Sequence, residues 1–327
     1  MNPVITNYLS EFEFGEIQYY KNMAVIPVFT KLNGSPEYLT LKEALEEKAL
    51  KITEINSGGS VPELKVLNKS KKPILLLDGE ELSGAKQNRI LNTTILLKKE
   101  SETIIPVSCT EEGRWDYVSD TFGDSDVVAS PRLRSMKLES VSQSLAMRES
   151  FGSDQGAVWD EVDFVSMDLD VDSPTSAMKA IFTKRQKDID DYLNVFEYQN
   201  GQNGIAVFID GDIVGIDFIS YKPAYKVLHQ KLIKSYVVDA IRIDQNKDKK
   251  PSLKTVKSFM ADIDKCNEKK YKSVGHGWDH RFESKETIGS ALIYKEKPIH
   301  MAFFKAVEQD NNERIAGLNR RRNFRYI

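Results

Sequence analysis

Fifteen residues from Asp78 to Asn92 carry three acids (Asp78, Glu80, Glu81), two bases (Lys86, Arg89) and three carboxamides (Gln87, Asn88, Asn92), with Gly79 and Gly84 among them. A turn uses fewer hydrogen-bonding groups than this, and glycine admits the positive φ that lets backbone amides face a ligand. A second polar group, Cys109, Glu111, Glu112, Arg114 and Trp115, follows some seventeen residues on. Together they hold the parts of a site for a phosphorylated nucleoside compound. Lys86, Arg89 and Arg114 can neutralise phosphates, Gln87, Asn88 and Asn92 can read ribose or base edges, and Trp115 offers a stacking face. For hydrolysis, Glu80, Glu81 or Glu112 could activate water, with a neighbouring acid protonating the leaving group once burial raises its pKa. The same charges also suit a solvated loop laced with salt bridges, or a polar surface that docks a partner. Cys109 follows an apolar run with no histidine nearby, which favours a buried small hydrophobe over a nucleophile.

Both polar groups must be held by the apolar runs beside them. Residues 74–77, 90–97 and 103–109 have the length and bounds of strands. If 103–109 pairs with 90–97 through a turn at 98–102, the polar groups come to one end of a sheet. Arg89 and Arg114 should then each find a carboxylate, such as Glu80, Glu81 or Glu112, because an enclosed charge needs a partner.

The segments DGEELSGAKQNR and VSCTEEGRW, in that order, resemble the signature of the ARG and rhodanese-phosphatase-superfamily-associated protein domain. The likeness runs from about Tyr8 to Phe304 and takes in GIAVFIDGDIVGIDF and the closing IHMAFF. The family is largely uncharacterised. Its name records gene association with ADP-ribosylglycohydrolases and phosphatase-type proteins, which implies NAD or ADP-ribose metabolism and ADP-ribose-processing proteins as partners. The resemblance carries over no catalytic assignment and names no cofactor.

The remaining sequence limits these readings. In 327 residues, 46 bases against 49 acids leave a net charge of -3, which argues against a general nucleic-acid binder. No apolar run reaches the roughly 20 residues of a membrane span, and the start lacks a basic region followed by an apolar core, so a cytoplasmic location is expected. Two cysteines, Cys109 and Cys266, are too few for a disulfide framework or a cysteine zinc site.

Strands are expected at 17–29, with Pro27 favouring an edge, and at 51–55 and 64–67. A capping box at Thr40–Glu43 should start a short helix. Helices are expected over 132–150, 156–167, 174–198, 223–242 and 251–266. Gln155 and Trp159 sit near a helix start that could meet an anion. Asp210-Gly211 marks a hairpin, and a final sheet should comprise 272–282, 287–294 and 300–304. Asp210, Asp212 and Asp217 lack the full calcium-loop spacing. His276, Asp279 and His280 invite a metal reading, since residues four apart share a face, but the context is not an HExxH helix and two glycines weaken a helix there. With His229 and His300, these histidines read as surface or satisfied sheet residues.

No Gly-rich strand-to-helix phosphate loop occurs, so neither a Rossmann nor a P-loop fold is expected. The expectation is α+β: antiparallel sheets in the N- and C-terminal parts with a helical segment between. We read residues 1–327 as a single composite domain, with a possible subdivision near 120–130 and a basic tail at 313–327. Functionally, the site binds or hydrolyses a nucleotide-derived small molecule; the alternative is a non-catalytic ligand-sensing or protein-interaction module. A deep cavity with perturbed carboxylates would favour the first and a flat polar surface the second.

Overall fold

The structure, a computed structural model, describes residues 1–32, 34, 36–56, 58–243 and 250–306. The basic tail lies outside the described residues. The chain opens with α1 (Pro3–Ser10), β1 (Phe12–Phe14), β2 (Gln18–Tyr20) and β3 (Met23–Thr30). Then come β4 (Leu39–Thr40), α2 (Leu41–Glu46), β5 (Leu50–Thr53), β6 (Glu63–Asn68), β7 (Ile74–Leu76), β8 (Glu80–Gly84), β9 (Arg89–Leu91), β10 (Ile95–Leu97), β11 (Ser101–Cys109) and β12 (Phe122–Val128). Four helices follow, α3 (Pro131–Arg148), α4 (Gln155–Asp168), α5 (Met178–Lys184) and α6 (Gln186–Leu193). The chain continues through β13 (Gly204–Ile209), β14 (Asp212–Ile219), α7 (Lys222–Ala240) and α8 (Leu253–Ile263), and closes with β15 (Asn267–Lys272), β16 (Trp278–Glu283), β17 (Thr287–Tyr294) and β18 (Lys297–Lys305).

These elements make an α+β fold of three sheets. A nine-stranded antiparallel sheet joins the two ends of the chain in the order β1-β3-β13-β14-β18-β17-β16-β15, with β2 also on β3. A six-stranded antiparallel sheet, β12-β8-β9-β11-β6-β5, has its two edges β12 and β5 in contact, so it curls. The third sheet, β10-β7-β4, contains the parallel pair β4–β7. Three apolar cores separate the layers. One packs α1 and α8 on one face of the large sheet through Leu9, Phe208, Phe218 and Phe259. A second lies under α3–α7, with Leu133, Leu138, Phe182 and Leu232. The third fills the curled sheet against the small one, with Ile52, Val66, Leu82, Leu91, Val107 and Phe122. Among the described residues, no helix is long and apolar enough to cross a membrane.

Local sequence chemistry accounts for much of this. Thr40 and Glu43 form the expected capping box, Thr40 Oγ1 accepting from the Glu43 amide while Glu43 accepts from the Thr40 amide at 2.8 Å. Asp210 and Gly211 both take positive φ, 49° and 78°, the geometry of a tight β13–β14 turn. Ser130 caps α3 and Pro131 fills its first position, where a missing N–H costs nothing.

Several expectations are corrected. Pro27 is not on an edge: β3 lies between β1 and β13. It is tolerated because β1 ends opposite Val28 and β2 begins opposite Val25, so Pro27 falls in the gap between two partners. The expected helix 174–198 is two, α5 and α6, broken at Arg185, whose φ and ψ are −99° and 16°. The expected strand 272–282 is also two, because Gly277 at φ 90° turns the chain and Gly275 lies against the Leu96 carbonyl, where a Cβ would approach to 2.2 Å. The polar stretch 120–130 supplies β12, a strand its Asp and Ser content conceals. Residues 90–97 do not form one strand either. β9 pairs antiparallel with β11, but β10 leaves that sheet to pair with β7.

Candidate functional site

Strand register sorts the candidate residues. Leu82, Arg89 and Cys109 are paired across β8, β9 and β11, as are Glu81 and Ile90, and Ile90 and Ser108. Residues directly opposite share a face and successive residues alternate. Arg89 therefore shares the inner face of the curled sheet with Leu82, while Glu81 faces the helical layer. The two polar segments do meet at one end of the sheet, but they are divided between its faces.

On the inner face the Arg89 side chain is completely buried. Its Nη1 donates to the Gln87 carbonyl at 3.0 Å and the Gln87 side-chain oxygen at 2.9 Å. Its Nε and Nη2 make no hydrogen bond with any described residue. Glu54, just past β5, brings its Oε1 to 3.9 Å from Nη2, and both Glu54 carboxylate oxygens are likewise buried and unbonded. At that distance the pair attracts through charge without a hydrogen bond. The indole of Trp115 covers the arginine, with its ring centre 5.5 Å from the guanidinium carbon and 5.5 Å from the Lys86 ammonium. Lys86 Nζ also donates to the Gly58 carbonyl at 2.8 Å. Trp115 is 45% exposed. Burial lowers the Arg89 pKa from its usual value, yet a guanidinium stays charged at neutral pH.

Arg114, Asn88 and Glu111 form a brace behind this end. Arg114 pairs with Glu111 at 2.6 Å and donates to Asn88 Oδ1 at 3.1 Å and the Ala85 carbonyl at 3.0 Å. Glu111 also accepts from the Thr175 hydroxyl at 2.7 Å, and its carbonyl accepts from the Gln87 amide. Burial would raise the Glu111 pKa, but its hydrogen bonds with Arg114, Thr175 and the Asn88 amide outweigh that and hold it below the ordinary value. The carboxylates expected opposite the two arginines are thus replaced. Glu111 serves Arg114, and Glu54 stands by Arg89. Glu112 is exposed.

On the outer face Glu81 is wholly buried, accepting from Thr110 Oγ1 at 2.8 Å and Ser125 Oγ at 2.5 Å. Burial outweighs both bonds and pushes its pKa up to about 7. Glu80 sits elsewhere, sharing the Lys231 ammonium with Asp124 at 2.8 and 2.6 Å. Burial raises Glu80, and two carboxylates around one ammonium raise Lys231 against burial. Asp124 also lines an open groove of about 460 Å³ with Lys42, Glu46, Phe122 and Asp126. Asn92 is also remote, accepting from Ser108 and bonding the Phe151 carbonyl.

Cys109 is buried, and burial pushes its thiol up to about 11. Gln155 clasps the Cys109 backbone, accepting from its amide at 2.7 Å and donating to its carbonyl at 2.9 Å, which gives Gln155 a strand-holding role. His280 bonds Glu268 at 2.6 Å, His276 stacks on Tyr294, and His229 meets Tyr225 and the Phe196 carbonyl.

Sequence reasoning missed Glu54 and a buried ionic network at the centre of the fold. Arg134 forks onto Asp217 at 2.9 and 2.7 Å and lies 3.6 Å from Asp78, which also takes Lys137. His300 joins Asp217 to Thr94, and Tyr236 donates to Asp217 at 2.7 Å. Arg281, Asp279 and Thr93 form a neighbouring cluster. The available signal was charge on apolar stripes: Arg134 and Lys137 lie among Leu133, Leu138 and Val141 in α3, and Lys231 lies between Leu228 and Leu232 in α7.

No curated protein and no solved structure matches the chain. One family model does, over residues 11–304, and the chain therefore belongs to the family described as the ARG and Rhodanese-Phosphatase-superfamily-associated Protein domain.

Proposed function

We propose that the chain binds a nucleotide-derived small molecule at the end of the curled sheet, where Trp115 and Lys86 cover Arg89 and Glu54. The observation that carries this reading is the fully buried Arg89 with two unused nitrogens, Nε and Nη2, beside a Glu54 carboxylate with two unused oxygens. Unpaired buried polar atoms are uncommon and costly, so a site that keeps them has a use for them. Trp115 supplies a partly exposed ring for stacking and Lys86 a cation for phosphate. Binding is favoured over hydrolysis because the candidate acids stand apart: Glu81 is on the opposite face, Glu80 pairs with Lys231, and Glu112 is exposed.

The test is a thermal-shift and turnover screen with NAD, ADP-ribose, mononucleotides and dinucleotides, with and without magnesium or manganese. A ligand at a hundred times its dissociation constant should stabilise the fold by about 2.7 kcal/mol. At least one nucleotide should raise the melting temperature without being consumed. If none does, while Arg89→Ala abolishes assembly with a protein partner, the interaction-module reading replaces this one.

A further inference from the structure

The unsatisfied atoms at the candidate site have an order that specifies a ligand more narrowly than charge does. Nε and Nη2 form one edge of the Arg89 guanidinium, a two-donor fork. The Glu54 carboxylate beside it is a two-acceptor fork, with its Oε1 3.9 Å from Nη2. At that distance the two groups do not bond each other, and both forks are free to bond neighbouring atoms of one ligand. A phosphate fits the arginine alone, because Glu54 next to it would repel the second charge. A ribose diol could satisfy Glu54 by donating two O–H groups, but it is not planar and does not stack. The complement of both forks is a ring edge that reads acceptor, acceptor, donor, donor.

We infer that Arg89 and Glu54 recognise a guanine base, Arg89 donating to N7 and O6 while Glu54 accepts from N1–H and the 2-amino group, with Trp115 as the stacking face. Guanine carries those four groups in that order. Adenine presents N7 acceptor, N6 donor, N1 acceptor and C2–H around the same edge, so Arg89 keeps one bond and Glu54 none. Gln87 fixes the guanidinium from behind through Nη1, which leaves the opposite edge directed at the ligand. The indole of Trp115 lies over the arginine, where its ring can also cover a base held in the plane of the guanidinium. Lys86 remains at the rim, where a 5′-phosphate meets solvent.

This inference rests on the nucleotide-binding reading, and its test separates the two. Binding of guanosine, inosine and adenosine 5′-monophosphates to the full chain is followed by calorimetry and by tryptophan fluorescence. Guanosine monophosphate should bind at least about tenfold tighter than adenosine monophosphate, a factor within the worth of one bidentate contact, and inosine monophosphate, which lacks the 2-amino group, should fall between. Glu54→Gln should weaken guanosine monophosphate and narrow its lead over adenosine monophosphate without erasing it, because Arg89 still reads N7 and O6. A melting curve checks that the variant folds, and the wild-type ranking decides the matter if it does not. Equal affinity for the guanine and adenine ligands overturns the guanine assignment while the nucleotide reading stands. A guanine preference that Glu54→Gln leaves undiminished also overturns it. Binding of none of the three, nor of any nucleotide in the wider screen, removes both.

Discussion

Glu81 is the carboxylate whose titration the fold should report. Its pKa is raised from 4.5 to about 7, so the folded state holds a proton that the unfolded state releases across that window. Below pH 4.5 both states are protonated and no penalty applies; as pH rises towards 7 the folded state loses stability, on the order of 3 kcal/mol in all, and above 7 the loss is complete. Glu161, buried beside Arg132 and Arg242 and also raised to about 7, adds to the same window. Urea unfolding at pH 5 and pH 8 should show lower stability at pH 8. Glu81→Gln keeps the neutral hydrogen-bonding form and should flatten that difference by Glu81's share; an unchanged slope would show that Glu81 titrates normally. Cys109 makes the opposite kind of prediction. With its thiol buried and pushed up to about 11, it should resist alkylation at neutral pH in the native protein and react fully once unfolded, as read by mass spectrometry. Rapid stoichiometric labelling of the folded chain would contradict this.

Single elements show what a sequence makes legible. The capping box at Thr40 and Glu43 was readable because both partners lie within one turn, and Thr40→Ala should cost about 1 kcal/mol in urea denaturation. The β13–β14 hairpin was readable for the same reason: Asp210 and Gly211 specify their own backbone. The convergence of Asn88 and Gln87 with Arg114 followed from strands that are neighbours in sequence and in space. Three other features were set by distant contacts. β12 is a strand because β8 pairs with it, although its own residues, FGDSDVV, read as loop. β10 parts from β9 because β7 offers it a partner. The division of Glu81 from Arg89 depends on strand alternation within an exactly fixed register, and a segment read as one polar loop conceals it. Glu54 was not found because it contacts the cluster only through the curl that brings β5 round.

For the whole molecule, the buried ions between the layers matter most. Arg134 on α3 reaches Asp217 in the large sheet and Asp78 before β8, so one guanidinium ties the helical layer to two sheet systems. Gly79, at φ 81°, lets the arginine pass: a Cβ there would lie 3.1 Å from Arg134 Cγ. Burial would raise Asp217, but Arg134 and His300 outweigh it and hold the carboxyl well below the usual range. Arg134→Met alone should leave Asp217 buried without its main partner and cost about 3–5 kcal/mol in denaturant unfolding, whereas Arg134→Met with Asp217→Leu should recover much of that loss. Equal destabilisation by the single and double changes would remove the account of a coupled pair. In our proposal, stability belongs to this centre and ligand contact to the end of the curled sheet. The most direct test of that division is the nucleotide-induced shift in melting temperature of Glu81→Gln and Arg89→Lys, measured side by side with the wild type. Retention of the shift in Glu81→Gln and its loss in Arg89→Lys is the predicted result; loss in Glu81→Gln with retention in Arg89→Lys would place the ligand on the other face of the sheet and contradict the account.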